Sequence, residues 1–425
     1  MKTCNSSVST VVSNSQIKPD YKLDYLHKEK KPRWLEQKIL NRFRNSLSKS
    51  KGRLHLIMPS GYHTSFGDQK GFEVTIKLNN LRCLFRLFTG GSTGWAEGYT
   101  AGEWDTQDLT SLLRWGLQNE TMLENIAKAG HLKKLAHNIY HWRNQNSRTG
   151  SRRNIAAHYD LGNDFYALWL DKTMSYSAAL FESDEQNLDA AQIAKYQQII
   201  DMLGSKQDDH IVEIGCGWGG FAEQLLQQHN VRVHGVTLSE EQLQWSRDRL
   251  AAAGLDRRSN ISLTDYRDLI TRYDGVVSIE MFEAVGEKYW DTYFETLKSC
   301  LKPCGKAILQ VISIEDQRFE TYREQADFIQ RYIFPGGMLP SISRLKQKFV
   351  EHGFELQQEK LFGQDYALTL KHWRASFEQQ TEALEKLGYD ERFRRLWRYY
   401  LCYCEAGFEE GSIDVGLYQL INRNP

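Results

Sequence analysis

A chain of 425 residues, 41% apolar and 12% aromatic, has room for two domains or for one large domain with an appended module, and enough core-forming side chains to rule out wholesale disorder. Its 54 Lys and Arg equal its 54 Asp and Glu, so it is not a basic nucleic-acid binder and no nucleic-acid partner is expected. No stretch approaches 18 apolar residues, which excludes a spanning helix, and the seven cysteines lack the spacing of a zinc site or a disulfide framework; we expect reduced thiols, no metal and a cytoplasmic protein.

Residues 1–19 are rich in Ser and Asn, lack the apolar core of a signal peptide and are expected to be disordered. Residues 20–147 read as a smaller α+β domain. Between His27 and Arg53 stand ten basic residues and two acids, a local basic surface on a neutral chain. Within it, PRWLEQKILNRFRNSLS places Leu35, Ile39, Leu40, Phe43 and Leu47 near one face of a basic amphipathic helix. That helix packs on its own domain or touches anionic lipid. Alternation in RLHLIMP and FEVTIKL, over 52–79, predicts a small antiparallel sheet. A helix is expected near 80–89, then a break through the glycine-rich TGGSTGWAEGYTAGEWDT, then amphipathic helices over about 106–142. The polar, basic linker NQNSRTGSRRN leads into a second domain, 148–425.

From 155 onward short β-rich runs (HIVEIG, VRVHGVTL, ISLTDY, GVVSIE, AILQVIS) alternate with helical stretches, which predicts a parallel sheet with crossover helices. The first strand runs into EIGCGWGG, four glycines in six positions, where the backbone turns tightly and approaches a ligand at the carboxyl end of the sheet. Gly215, Gly217 and Gly220 also fit a dinucleotide fingerprint. Two features favour S-adenosylmethionine instead: Glu213 precedes the glycines, and the second strand ends in Thr237-Leu238-Ser239 with no acid for a dinucleotide ribose. After the fourth strand, SIEMFEAVGEKYW carries Glu280 and Glu283, three residues apart and able to share a face if the segment turns helical.

These blocks, with HYDLGNDFYALWLD, MSYSAALF, DFIQRYIFPGGMLPS, FGQDYALTLKHW and RRLWRYYLCYCEAGF, run in order over about 155–410. The chain resembles the cyclopropane-fatty-acyl-phospholipid synthases and the related mycolic acid methyltransferases. The resemblance implies a Rossmann-like, S-adenosylmethionine-dependent methyltransferase domain that acts on an unsaturated phospholipid acyl chain and touches the inner face of the membrane peripherally. The preceding domain would serve membrane contact or homodimerisation. Carried across by motif, the cofactor pocket involves Tyr176, Ser177, Gly215, Gly217, Trp218, Thr237, Leu238 and Gln242, with Tyr266 and Ile279 near the adenine.

An alkene attacking a sulfonium leaves a cation on the chain, which aromatic faces stabilise. Tyr159, Phe165, Phe282 and Tyr366 are the candidates by motif position, and the apolar FPGGMLPS segment around Gly337 is expected to line the acyl channel. In ring-forming relatives a bound bicarbonate takes the proton, held by a Glu, a Tyr, a His and a Cys-bearing segment. Glu283 and Tyr366 match, but Ala178 stands where the Cys would be and Gln310 where the His would be. The implied catalytic set is therefore Glu283, Tyr366, Gln310 and Cys404, with bicarbonate in question. Ring closure, methylation without closure and a catalytically idle lipid binder all stay open.

Overall fold

In the computed structural model of the chain, residues 31–127, 161–183 and 185–422 are described. The expected disordered N-terminus, the domain boundary at 147/148, and Tyr159 lie outside them.

A four-stranded sheet comprises β1 (Arg53–Ile57), β2 (His63–Gly67), β3 (Glu73–Leu78) and β4 (Trp104–Asp105), in the order β2-β1-β3-β4. β1 pairs antiparallel with β2 but parallel with β3, so the sheet is mixed rather than antiparallel. Alternating burial fixes which face of a strand is inward and says nothing of direction. Here the chain leaves β2 on one edge of β1 and crosses to the other.

The helix Trp34–Leu47 forms as expected, and Leu40 is buried. Leu35 points to solvent, 49% exposed, while Glu36 is buried. The reason lies at the helix start, where the Glu36 carboxylate accepts from the backbone N–H of Arg33 (2.7 Å) and of Ser60 (3.0 Å). Satisfying those donors outweighs the apolar count of the face.

The glycine-rich stretch also departs from expectation. A helix spans Arg82–Thr100, broken at Gly91 (φ 63°, ψ −142°) rather than ended there. Its second arm folds against the first so closely that a Cβ on Gly94 would stand 2.0 Å from the Arg86 carbonyl oxygen. Arg86 clasps Glu97 (3.2 Å) and Glu103 (3.0 Å) across the bend. Glycine costs about 1 kcal/mol per helical position; close packing of the arms offsets it.

The second sheet has seven strands: β5 (His210–Ile214), β6 (Arg232–Thr237), β7 (Ser259–Leu263), β8 (Tyr273–Ile279), β9 (Leu301–Ile314), β10 (Phe354–Leu361) and β11 (Ile413–Asn422), ordered β10-β11-β9-β8-β5-β6-β7. β5 to β9 are parallel, as the sequence predicts. β11 runs antiparallel to both β9 and β10, a pair of strands the sequence reading did not anticipate. The chain travels outward from β5 to β7 and returns as β8 on the other side of β5. That reversal opens a crevice above the carboxyl ends of β5 and β8.

The helix Glu391–Glu409 joins the two parts. Glu405 on it accepts from Arg374 (Nε 2.7 Å, Nη2 3.0 Å) and from the Thr110 hydroxyl (3.2 Å), and Arg395 donates to the carbonyls of Tyr99 (2.6 Å) and Trp104 (3.0 Å). Among the described residues no helix is long and apolar enough to cross a membrane.

Candidate active site

The crevice is entered through the loop that follows β5. Gly215, Gly217 and Gly219 hold φ of 80°, 50° and 80°, the left-handed region where only glycine is unstrained. The N–H groups of Gly215 (2.9 Å) and Cys216 (3.1 Å) donate to the Val236 carbonyl, tying the loop to β6. A Cβ on Gly215 would lie 2.9 Å from Met281 Cγ, whereas one on Gly217 meets nothing within 4 Å. The first glycine is required by packing and the second leaves backbone open to a ligand.

Above the loop lies a cavity of about 1440 Å³. All ten residues expected around the cofactor, Tyr176, Ser177, Gly215, Gly217, Trp218, Thr237, Leu238, Gln242, Tyr266 and Ile279, are on its wall. Thr237 donates to Gln242 Oε1 (2.8 Å), which fixes the end of β6 against the next helix. Trp218 does two things: it touches the cavity, and its indole donates to Asn163 (2.7 Å) while packing on Tyr166. One oxygen of the buried Glu213 carboxylate has no partner, and burial pushes this group well above the ordinary carboxylate range. An unpaired acceptor beside bare glycine backbone fits the donors that S-adenosylmethionine carries, its ammonium and ribose hydroxyls.

The sequence reading missed Lys195. Fully buried on the helix Leu188–Leu203, it donates to the Ser177 hydroxyl (2.8 Å). Burial lowers its pKa to about 8 against the opposing pull of Glu280, Asp171 and Glu213. Its only signal in sequence is a lysine set among apolar residues in AAQIAKYQQII.

Both carboxylates of the SIEMFE segment reach the cavity, Glu280 from the bend that follows β8 and Glu283 from a turn of 3-10 helix, Phe282–Ala284, rather than from one α-helix. Glu283 and Tyr366 were expected to hold a bicarbonate together; in the structure Tyr366 donates to Glu280 Oε2 (2.7 Å). Glu280 Oε1 accepts from the backbone N–H of Ala178 (2.8 Å) and from Gln310 Nε2 (2.7 Å). Gln310, 1% exposed, is absent from the cavity wall and sits behind Glu280. The groups expected to surround a bicarbonate are thus turned on a side chain of the protein itself, and the residues present do not fit a bound bicarbonate. Glu283 has one oxygen on the Ile312 N–H and the other unpartnered. Burial, with the Glu280 charge nearby, pushes it up to about 8, so at neutral pH it is chiefly the neutral acid.

Two aromatic candidates are displaced. Phe165 is completely buried among Tyr166, Trp169 and Trp397, and Phe282 packs on Trp290, Tyr293 and Phe294; neither touches the cavity. Glu280 and Glu283, three residues apart, face the cavity, and Phe282 between them faces the core. The fourth candidate, Tyr366, is on the wall, which also carries Tyr176, Phe334, Tyr400 and Tyr403 among its aromatic side chains, with Tyr176 and Tyr400 sharing a hydrogen bond of 2.8 Å. Phe334, Pro335, Gly337, Met338 and Leu339 line the cavity, and Met338 N–H donates to the Glu283 carbonyl (2.8 Å). Cys404 is on the wall too, but burial and the nearby Asp327 raise its thiol far above the ordinary range, so it is no thiolate.

A seven-stranded sheet with a bare glycine loop at its switch point and a cavity that spans loop and acid cluster defines an S-adenosylmethionine-dependent methyltransferase. Residues 146–418 match the family model described as mycolic acid cyclopropane synthetase, and the chain belongs to that family. It is 38% identical to the tuberculostearic acid methyltransferase UfaA1 of Mycobacterium tuberculosis over 88% of both chains. With the cyclopropane-fatty-acyl-phospholipid synthase of Escherichia coli K12 it shares 36% identity over 81% of this chain and 87% of that one. Among solved structures, the mycolic acid cyclopropane synthase CmaA1 complexed with SAH and CTAB matches 64% of this chain and 98% of its own, with 31% identity and a TM-score of 0.60.

Proposed function

We propose that the protein transfers the methyl carbon of S-adenosylmethionine to the double bond of an unsaturated phospholipid acyl chain and closes a cyclopropane ring. The observation that carries this reading is one continuous cavity running from the glycine loop to a wall of tyrosines and a half-buried carboxylate pair, with an apolar segment, Phe334–Leu339, alongside. S-adenosylmethionine supplies an electrophilic methyl group beside that wall. Tyr176, Ser177, Gly215, Gly217, Trp218, Thr237, Leu238, Gln242, Tyr266 and Ile279 are assigned to its binding, and Glu283 to the wall as a neutral acid. As the alkene gives up its electron pair to the methyl carbon, positive charge develops on the acyl chain; each aromatic face turned to it is worth about 2 kcal/mol or more in a dry site.

Closure is only one fate of the cation. Loss of the proton from the added methyl gives the ring, and loss from a neighbouring carbon gives a branched alkene. The changed surroundings of Ala178 and Gln310, and the 38% identity to a protein named a tuberculostearic acid methyltransferase, favour the branched product as a second reading.

Access to the lipid is proposed to come from peripheral membrane contact. Trp34 (71% exposed), Leu35 and Phe85 stand in solvent on two helices that meet at the Phe43–Phe88 stack, and Arg33, Lys38 and Arg42 flank the first two. The test offers labelled S-adenosylmethionine and vesicles of mono-unsaturated or fully saturated phospholipid. Label in the acyl chains of the unsaturated vesicles alone supports the proposal; label in headgroups, or in both vesicles equally, contradicts it.

A further inference from the structure

The structure assigns to Glu280 the role of proton acceptor in this reaction, so that a carboxylate of the chain does the work of a base from solution. The inference rests on the proposed methyl transfer and adds to it the group that completes it.

Glu280 is built into its place. It follows β8 with φ of 48°, a left-handed conformation uncommon for a residue with a side chain, and its N–H donates to the Gln310 carbonyl (2.8 Å). The strained backbone turns the side chain toward three donors from three distant parts of the chain: Ala178 N–H, Gln310 Nε2 and Tyr366 OH. A carboxylate offers four lone pairs. Oε1 has two donors and Oε2 has one, which leaves one lone pair, on Oε2, without a donor among the described residues. Because Ala178 and Gln310 are sealed behind it, 0% and 1% exposed, the accessible side of Glu280 is the cavity side. Burial raises this carboxyl above the ordinary range and so keeps it basic, while the three bonds and the buried Lys195 pull the other way, toward the ionised form. Glu283, the neighbouring carboxyl, has no such set of donors and is held neutral. Environments that separate two nearby carboxyls divide acid from base.

The alkene π pair forms the new bond to the methyl carbon, and the carbon–sulfur pair stays on sulfur, giving S-adenosylhomocysteine. A C–H bond of the methylated chain then breaks; its pair closes the ring, or forms the new double bond in the branched product. The proton goes to Oε2 of Glu280, which later releases it to water. Tyr366, Gln310 and the Ala178 N–H act through Glu280 and are positioning groups.

The full-length protein is assayed on mono-unsaturated phospholipid vesicles, as wild type and as Glu280→Gln, with and without bicarbonate in carbon-dioxide-free buffer. Binding of S-adenosylhomocysteine by calorimetry serves as the control for folding. The account expects a wild-type rate indifferent to bicarbonate. In Glu280→Gln it expects turnover lowered at least about a hundredfold, the usual worth of a positioned general base, with S-adenosylhomocysteine affinity within about threefold of wild type for a change that conserves shape. Glu280→Gly, which opens the site, is expected to regain part of the rate with added formate. A wild type that needs bicarbonate, or Glu280→Gln that keeps its rate, overturns the assignment and leaves the methyl transfer standing. The bicarbonate arm uses the wild type alone and decides the matter even if a variant does not fold. A wild type that methylates no unsaturated lipid removes the proposed function and this inference together.

Discussion

Gln310 Nε2 stands 2.7 Å from Glu280 Oε1, so a residue that departs from the expected histidine has a partner of its own in the site. The same amide lies 3.4 Å from the Ala178 carbonyl, joining the two departures in one arrangement around one carboxylate.

Removing that amide weakens the ionised form of Glu280. A hydrogen bond to a charged group is worth about 1.5–3 kcal/mol, or about 1–2 pK units. Gln310→Leu is therefore expected to move the acidic limb of the rate profile to higher pH by about that amount, with the rate largely recovered above it. A pH–rate series on both proteins checks this, and an unmoved limb would count against the bond's importance.

The glycines of the loop separate fold from binding. Gly217→Ala places a methyl at φ 50° with no clash, for a backbone cost of about 1 kcal/mol. Its melting temperature should fall by only a few degrees, while affinity for S-adenosylhomocysteine falls about tenfold or more because the methyl points into the binding surface. Gly215→Val should lose both, since its side chain meets Met281. Calorimetry and thermal melts on the two variants tell these apart.

This loop was also the most legible part of the sequence. A β-rich run ending in bare glycines fixes strand, turn and helix locally, and the five parallel strands announce themselves as short apolar runs. β10 did not, because FELQQEKL at the sheet edge carries polar side chains on both faces. Glu280 was visible as an acid near the crevice but not as the partner of Tyr366. That role depends on a left-handed backbone and on residues as far apart as Ala178 and Gln310, which no local pattern encodes. Lys195 stayed hidden since a buried lysine reads as a solvated one until its neighbours are known.

Glu283 links stability to pH. Its native pKa of about 8 lies above the ordinary value of 4.5, so the folded state holds a proton that the unfolded state releases. The stability it contributes is complete below about 4.5 and is lost as pH rises through about 8. Glu283→Gln should flatten the decline in melting temperature between pH 5 and 8. Parallel slopes in mutant and wild type would contradict the assignment.

Cys404 should be dispensable to the chemistry. With its thiol held protonated on the cavity wall, Cys404→Ser is expected to keep kcat within about threefold. A loss of a hundredfold or more, with S-adenosylhomocysteine binding intact, would point to a covalent or acid–base role instead.

Glu405 ties the helix Glu391–Glu409 to Arg374 and Thr110. Glu405→Ala leaves the partly exposed guanidinium of Arg374 without its carboxylate, and losing hydrogen bonds to a charged group costs about 1.5–3 kcal/mol. Denaturant melts should show it as a lower midpoint; an unchanged midpoint would mean the two parts are held together elsewhere.

In the proposed reaction the methyl carbon ends on the acyl-chain alkene and closes a ring. Proton NMR of the lipid recovered after incubation with S-adenosylmethionine and mono-unsaturated phospholipid vesicles tests it most directly. Ring closure removes the vinyl signals and brings the far-upfield resonances of cyclopropane protons. A new branched-methyl signal with surviving vinyl protons would contradict ring closure, and an unaltered acyl chain would contradict the proposed function itself.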